Sequence, residues 1–239
     1  MTATAADVGG ALAELADPGD AVQVRQYFKT GPGQYGEGDV FIGVRVPAIR
    51  NVAKRFAMLG LDEIDELLDS PIHEHRLCAL LILDDQYARR PGDRELIAER
   101  YLAAVYRGRV NNWDLVDSSA EFILGPWLAH TDRSLLFELA ASESLWERRV
   151  AVIATFAYIR QGDASTTLAL AERLLPDRAN LIQKAVGWML REAGKRVDRS
   201  VLTGFLDEHA AAMGRTALSY ATEHLTPEER ARYRSMKPL

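Results

Sequence analysis

A repeat of about 36 residues constrains this chain more than any other feature. Aligning its apolar patterns places Arg76, Asn112, Arg149 and Lys184 at equivalent points near the starts of four helical segments, at intervals of 36, 37 and 35 residues. A period of that length suits two helices and two short turns. Such a unit cannot bury its apolar faces alone, so successive units stack on one another. The expectation is an all-α fold: a HEAT-like repeat solenoid of antiparallel helix pairs with a concave face, forming a single domain over residues 1–239. With 48% of its residues hydrophobic, the chain can build a continuous core without disulfides. The sequence does not decide whether residues 1–20 are ordered.

Local signals agree with the period. Pro47 opens an apolar-periodic run through Ala57, as proline does at a first helical position. Ser70-Pro71 begins another, which ends near Arg89 ahead of Pro91-Gly92. A third runs from Asp93 to Tyr106, with Gly108 beyond it. Ser144 with Glu147 and Thr226 with Glu229 have the spacing of capping boxes. Gly125-Pro126, Gly162-Asp163 and Pro176-Asp177 predict short breaks. No sustained period-two stretch is present, which argues against sheet. Thr30 to Asp39 holds four glycines and a proline, and predicts a loop.

Composition sets the compartment and leaves the partner open. The single cysteine, Cys78, lies in an apolar run and reads as an inert buried thiol in a reducing compartment. The first 20 residues carry four acids and no base, unlike a secretory signal or a mitochondrial presequence. No apolar stretch approaches the roughly 20 residues that span a bilayer. A cytoplasmic protein with no membrane partner and no obligate protein partner is expected. The net charge of −5 hides two basic segments. Residues 25–55 have six basic and two acidic side chains, and residues 143–199 have ten and seven. An acidic total is thus compatible with a basic face.

Familiar catalytic signatures are missing: there is no Walker loop, no His-Glu-x-x-His and no Cys-x-x-Cys. His73 and His75 point to different helix faces and read as surface histidines. Gly31, Gly33 and Gly36 match Gly-x-Gly-x-x-Gly, but no strand precedes them, so a dinucleotide site is not expected. Nothing demands a metal or a cofactor. What remains is tryptophan beside charge. Trp113 and Asp117, four residues apart, share a helical face. Lys184, Trp188 and Arg191 form a second stripe, with Trp146 and Arg149 between the two. Trp127 reads as core. Stacking in register would bring Asp117, Arg149 and Trp188 to one concave side, where aromatic rings could contact bases and sugars while Lys and Arg take phosphates.

The segments Asn111-Asn-Trp-Asp-Leu-Val-Asp117-Ser118, Leu145-Trp-Glu-Arg-Arg149-Val-Ala and Ile182-Gln-Lys-Ala-Val-Gly-Trp188-Met-Leu-Arg-Glu192 resemble the AlkD-type bacterial DNA alkylation-repair glycosylases. So do Tyr27-Phe-Lys, Phe41-Ile-Gly-Val-Arg-Val-Pro47 and Met213-Gly-Arg-Thr-Ala-Leu-Ser-Tyr-Ala221, and the resemblance spans about residues 20 to 225. It implies a HEAT-like fold in the bacterial cytosol or nucleoid and a basic groove for double-stranded DNA. It also implies monofunctional excision of N3- and N7-alkylated purines, in which the base need not enter a deep pocket. By motif, the catalytic carboxylate falls on Asp117. The residues contacting lesion and DNA fall on Trp113, Trp188 and Arg149, and less firmly on Tyr27. Lys184 and Arg191 flank Trp188 on its stripe. Some members have a second aromatic before the first tryptophan, where this chain has Asn112. Two other readings fit a helical repeat: a non-catalytic nucleic-acid-binding module, or a protein-binding scaffold with tryptophan hot spots.

Overall fold

The computed structural model describes residues 2–129 and 131–236. Among them there is no strand, only an isolated parallel bridge between Val40 and Ile72. The fold is all-α, as the period predicts, and consistent with a helical-repeat solenoid. No helix among the described residues is long and apolar enough to cross a membrane. The chain divides into two compact units, Met1–Ile123 and Leu124–Leu239.

The first unit contains α1 (Ala5–Ala13), α2 (Pro18–Tyr27), α3 (Val46–Arg55), α4 (Leu61–Leu68), α5 (His73–Arg89), α6 (Arg94–Tyr106) and α7 (Trp113–Asp117). A reciprocal capping box between Thr4 and Asp7 starts α1. The Ala5 N–H donates to Glu63 at 2.7 Å, while Val8 and Leu12 are fully buried. Part of the acidic N-terminal segment is therefore a docked helix. The centre of the unit is α5, whose residues Leu77 to Leu83 are all buried and which packs on α1, α3, α4, α6 and α7. It begins at His73 and not at Ser70-Pro71. There the Ser70 hydroxyl accepts from the Ile72 N–H at 3.1 Å, and the His73 N–H goes to the carbonyl of Val40 at 2.8 Å. Cys78 has no exposed surface, and burial pushes its thiol up to about 12.

The second unit contains α8 (Leu124–Leu128), α9 (Ser134–Ala140), α10 (Leu145–Ala154), α11 (Phe156–Ile159), α12 (Ser165–Arg173), α13 (Asn180–Arg196), α14 (Arg199–His209), α15 (Arg215–Ala221) and α16 (Pro227–Ser235). Its centre is α13, which packs on α10, α11, α12, α14 and α15. Thr226 and Glu229 form the full capping box, whereas Ser144 supplies one arm, accepting from the Glu147 N–H at 3.4 Å. Gly125-Pro126 does not break the chain but lies within α8. A Cβ at Gly125 would meet the Ala154 carbonyl oxygen at 2.4 Å and the Ala157 Cβ at 2.7 Å. Glycine stands there to let α8 approach its neighbours closely. Trp127, expected in the core, is only half-buried.

The four repeat positions hold their places near helix starts. Arg76 is the fourth residue of α5, Asn112 caps α7, and Arg149 and Lys184 are each the fifth residue of α10 and α13.

Candidate active site

In the first unit a column of rings leads out to solvent. His73 stacks on Phe41 with centroids 4.4 Å apart, Phe41 on Phe28 at 5.1 Å, and Phe28 on Trp113 at 5.3 Å with only 13° between planes. Tyr27 closes the outer end, its ring edge-on to Phe28 at 5.2 Å and to Trp113 at 6.0 Å. It is 66% exposed. A half-buried indole beside an exposed phenol offers faces that bases and sugars can use. Trp113 and Asp117 are the first and last residues of α7. Asp117 is half-buried, not sunk in the core. Burial raises the pKa of the fully enclosed Tyr101 phenol, and the negative charge of Asp117 adds to that effect.

Beneath the column lies a charged network that the sequence did not reveal. His73, expected on the surface, is 2% exposed. Its Nδ1 faces a carboxylate oxygen of Asp39 at 3.1 Å, and its Nε2 one of Asp114 at 2.8 Å. The second Asp39 oxygen accepts from Arg76, and Asn112 Nδ2 donates to Asp39 at 3.0 Å. Burial alone would lower the His73 pKa, but hydrogen bonds to Asp114 and Asp39, together with their charges, outweigh it and hold the value at about 9. Asp39 responds in the opposite sense: burial pushes its carboxyl up, yet His73, Arg76 and Asn112 bring it below the usual range. Charges this deeply buried need partners, and here the Asp39 carboxylate and the imidazole are each paired, although the buried Arg76 Nε makes no hydrogen bond. His75 is half-buried beside the Ser70 hydroxyl, 3.1 Å away, and its pKa is lowered by burial.

The glycine-rich loop serves this network. Its N–H groups are used internally: Gly31 donates to Gln34, Gly33 to Glu37 and Gly36 to the Lys29 carbonyl. The loop ends by delivering Asp39. Just beyond, the Glu74 carboxylate accepts from the N–H groups of Ile42, Gly43 and Val44 at 3.1, 2.8 and 3.3 Å, which fixes the segment carrying Phe41. Gly43 has φ +83°, and a Cβ there would lie 2.0 Å from the Asp17 carbonyl oxygen.

In the second unit, Trp188 is half-buried and meets Phe156 edge-on at 5.9 Å. The guanidinium groups of Arg160 and Arg196 lie over the Phe156 ring at 4.7 and 5.1 Å. Lys184, also half-buried, precedes Trp188 by one turn of α13. Arg191 pairs with the carboxylates of Glu223 and Glu192. Arg149 is 4% exposed and donates from one terminal nitrogen to the Leu181 carbonyl at 2.6 Å, near the start of α13. Each predicted residue therefore has a defined setting within its own unit. Tyr27 and Trp113 meet in the first, with Asp117 at the other end of α7, and Arg149, Lys184, Trp188 and Arg191 lie on or against α13 in the second.

Sequence reasoning missed Asp39, His73, Asp114 and Phe28. Phe28 and Asp114 adjoin residues already singled out. The links from His73 to Asp39 and Asp114 span 34 and 41 residues, and no local spacing encodes them.

Among curated proteins, none matches this chain. A solved chain described as a predicted DNA alkylation repair enzyme from Enterococcus faecalis shares the fold, with a TM-score of 0.70 and 20% identity over 89% of this chain and 97% of that one. The family model described as "DNA alkylation repair enzyme" matches residues 9–225. A match over that much of the sequence makes the protein a member of the DNA alkylation repair enzyme family.

Proposed function

We propose that the protein is a monofunctional DNA glycosylase that hydrolyses the N-glycosidic bond of cationic N3- or N7-alkylated purines in duplex DNA. The observation carrying this reading is the pairing, on the five-residue helix α7, of a half-buried carboxylate at 117 with an indole at 113 that opens onto the exposed ring of Tyr27. A binding module or scaffold would have use for the rings but none for the carboxylate.

The chemistry suits such a sparse site. An alkylated purine already carries positive charge, so it departs with the bonding electrons without a general acid. Positive charge then develops on the deoxyribose as an oxocarbenium-like centre, and water adds at the anomeric carbon, losing a proton. Asp117 stabilises that charge and orients the water. At 4 Å and an effective dielectric of 20, the attraction is about 4 kcal/mol. At about 1.36 kcal/mol per decade this is roughly a thousandfold in rate. Only the excess over ground-state attraction counts, and the lesion itself is cationic, so about a few hundredfold is expected.

Trp113 and Tyr27 hold the lesion nucleotide's sugar and backbone through ring faces. In the second unit, Trp188 gives a further aromatic contact and the half-buried Lys184 supplies positive charge toward phosphates, whereas Arg191 is already paired with Glu223 and Glu192 and Arg149 is 4% exposed. The deciding experiment incubates the protein with methylated duplex DNA and looks for free 3-methyladenine or 7-methylguanine. Release of either base supports the reading. DNA binding without base release leaves only the binding-module alternative.

A further inference from the structure

A five-residue helix cannot hold its own geometry. Nucleating one turn fixes several dihedral angles for very few internal hydrogen bonds, and isolated short helices are unstable in water. Yet α7 carries both Trp113 and Asp117, whose mutual placement the excision chemistry needs. The residues on either side of Trp113 show what fixes it. Asn112 accepts from the Trp113 N–H through Oδ1 at 2.9 Å and donates to Asp39 through Nδ2 at 3.0 Å. Asp114 accepts from the Leu115 N–H with one oxygen and meets His73 with the other. Both flanks of Trp113 thus run to the same buried pair, Asp39 and His73.

We propose that His73 is a positioning residue: by bridging Asp39 and Asp114 it clasps the start of α7 and so fixes the Trp113 indole relative to the Asp117 carboxylate. Its catalytic consequence rests on the glycosylase reading, whereas its structural consequence does not. The groups facing His73 are the carboxylates of Asp39 and Asp114 and the uncharged rings of Phe28 and Phe41, with Arg76 and Asn112 on Asp39 behind them. Glu74, the adjacent carboxylate, is taken up by the backbone at residues 42–44. Loss of His73 leaves Asp39 still paired with Arg76 and bonded to Asn112. The tie that disappears is the one to Asp114, whose side chain is 15% exposed.

The test uses the full chain and three variants: H73Q, D114A and D114N. Single-turnover release of 7-methylguanine at saturating protein separates chemistry from DNA affinity. Amide hydrogen exchange at residues 113–118 reports on α7 directly. H73Q and D114A should slow release by about 10–100-fold, the scale of an ångström's misplacement, with DNA affinity within about threefold of the parent. Both should exchange faster at residues 113–118 than elsewhere in the chain. D114N keeps one oxygen that can accept from His73 but gives up the acceptor for the Leu115 N–H, so its rate should lie between those of D114A and the parent.

Parental release and exchange in H73Q and D114A would overturn the proposal. So would a general loss of stability with an unchanged rate per folded molecule, because a merely structural role predicts that outcome. If H73Q does not fold, the comparison of D114A with D114N decides alone. If the parent protein releases no base, the glycosylase reading has failed, and hydrogen exchange alone confirms or rejects the clasp.

Discussion

The Phe28 ring lies nearly parallel to the Trp113 indole, 13° apart in plane with centroids at 5.3 Å, and so forms the floor on which the proposed lesion-contacting residue rests. Through Phe28 the indole is supported by Phe41 and ultimately by the His73 ring. Phe28→Ala removes that floor. It should cost about 1–3 kcal/mol of stability, because Phe28 is half-buried and loses both packing and stacking. It should also slow excision more than Tyr27→Phe does. Thermal melts and single-turnover rates of the two variants check both statements.

Asp117→Asn keeps the shape of the side chain and removes its charge. DNA affinity should remain within about threefold, while 7-methylguanine release should slow by about a few hundredfold. A rate close to the parent's would remove Asp117 from the mechanism.

Arg149 has two roles to separate. Its truncation to alanine deprives the Leu181 carbonyl of a donor, for about 1–3 kcal/mol in stability. If the guanidinium also engages a phosphate, the slope of log affinity against log salt should become shallower by about one. Binding titrations at several salt concentrations, compared with melts, distinguish the roles. An unchanged slope in a folded variant restricts Arg149 to structure.

The His73 network makes stability depend on pH in two windows. The folded-state pKa of His73 is raised from 6.5 to about 9, so its contribution is fully present below about 6.5. It declines as pH rises and is gone once pH passes about 9, by at most about 1.4 kcal/mol per pH unit. Asp39 is lowered, so its contribution is present above the ordinary value of 3.8 and is lost as pH falls through the folded value. Urea titrations of the parent and of H73Q from pH 6 to 10 test the alkaline window. The variant should show a flatter profile there.

Cys78 should resist modification. Its thiol is fully buried and raised to about 12, so thiolate is scarce at neutral pH and reagent has no access. A disulfide reagent should label it only after denaturation, and labelling of the native protein at a rate comparable to the unfolded chain would contradict the buried placement.

The sequence determined the helical class, because a 36-residue apolar period and its turn residues are local properties that each segment carries for itself. Arg76, Asn112, Arg149 and Lys184 stand near helix starts, as their spacing required. That Trp113 and Asp117 stand one turn apart on a single helix was also legible, since their spacing of four residues is a local property. Tertiary structure alone decided the fate of His73. Its neighbours are ordinary helix residues, and only the path of the glycine-rich loop brings Asp39 to one side of its ring while the short helix brings Asp114 to the other. Asn112 likewise reads as a missing aromatic in the sequence and becomes, once folded, a fully buried amide bonded to Asp39. Burial and long-range pairing depend on which distant segments meet, and that information is spread over the whole chain and not held in any one motif.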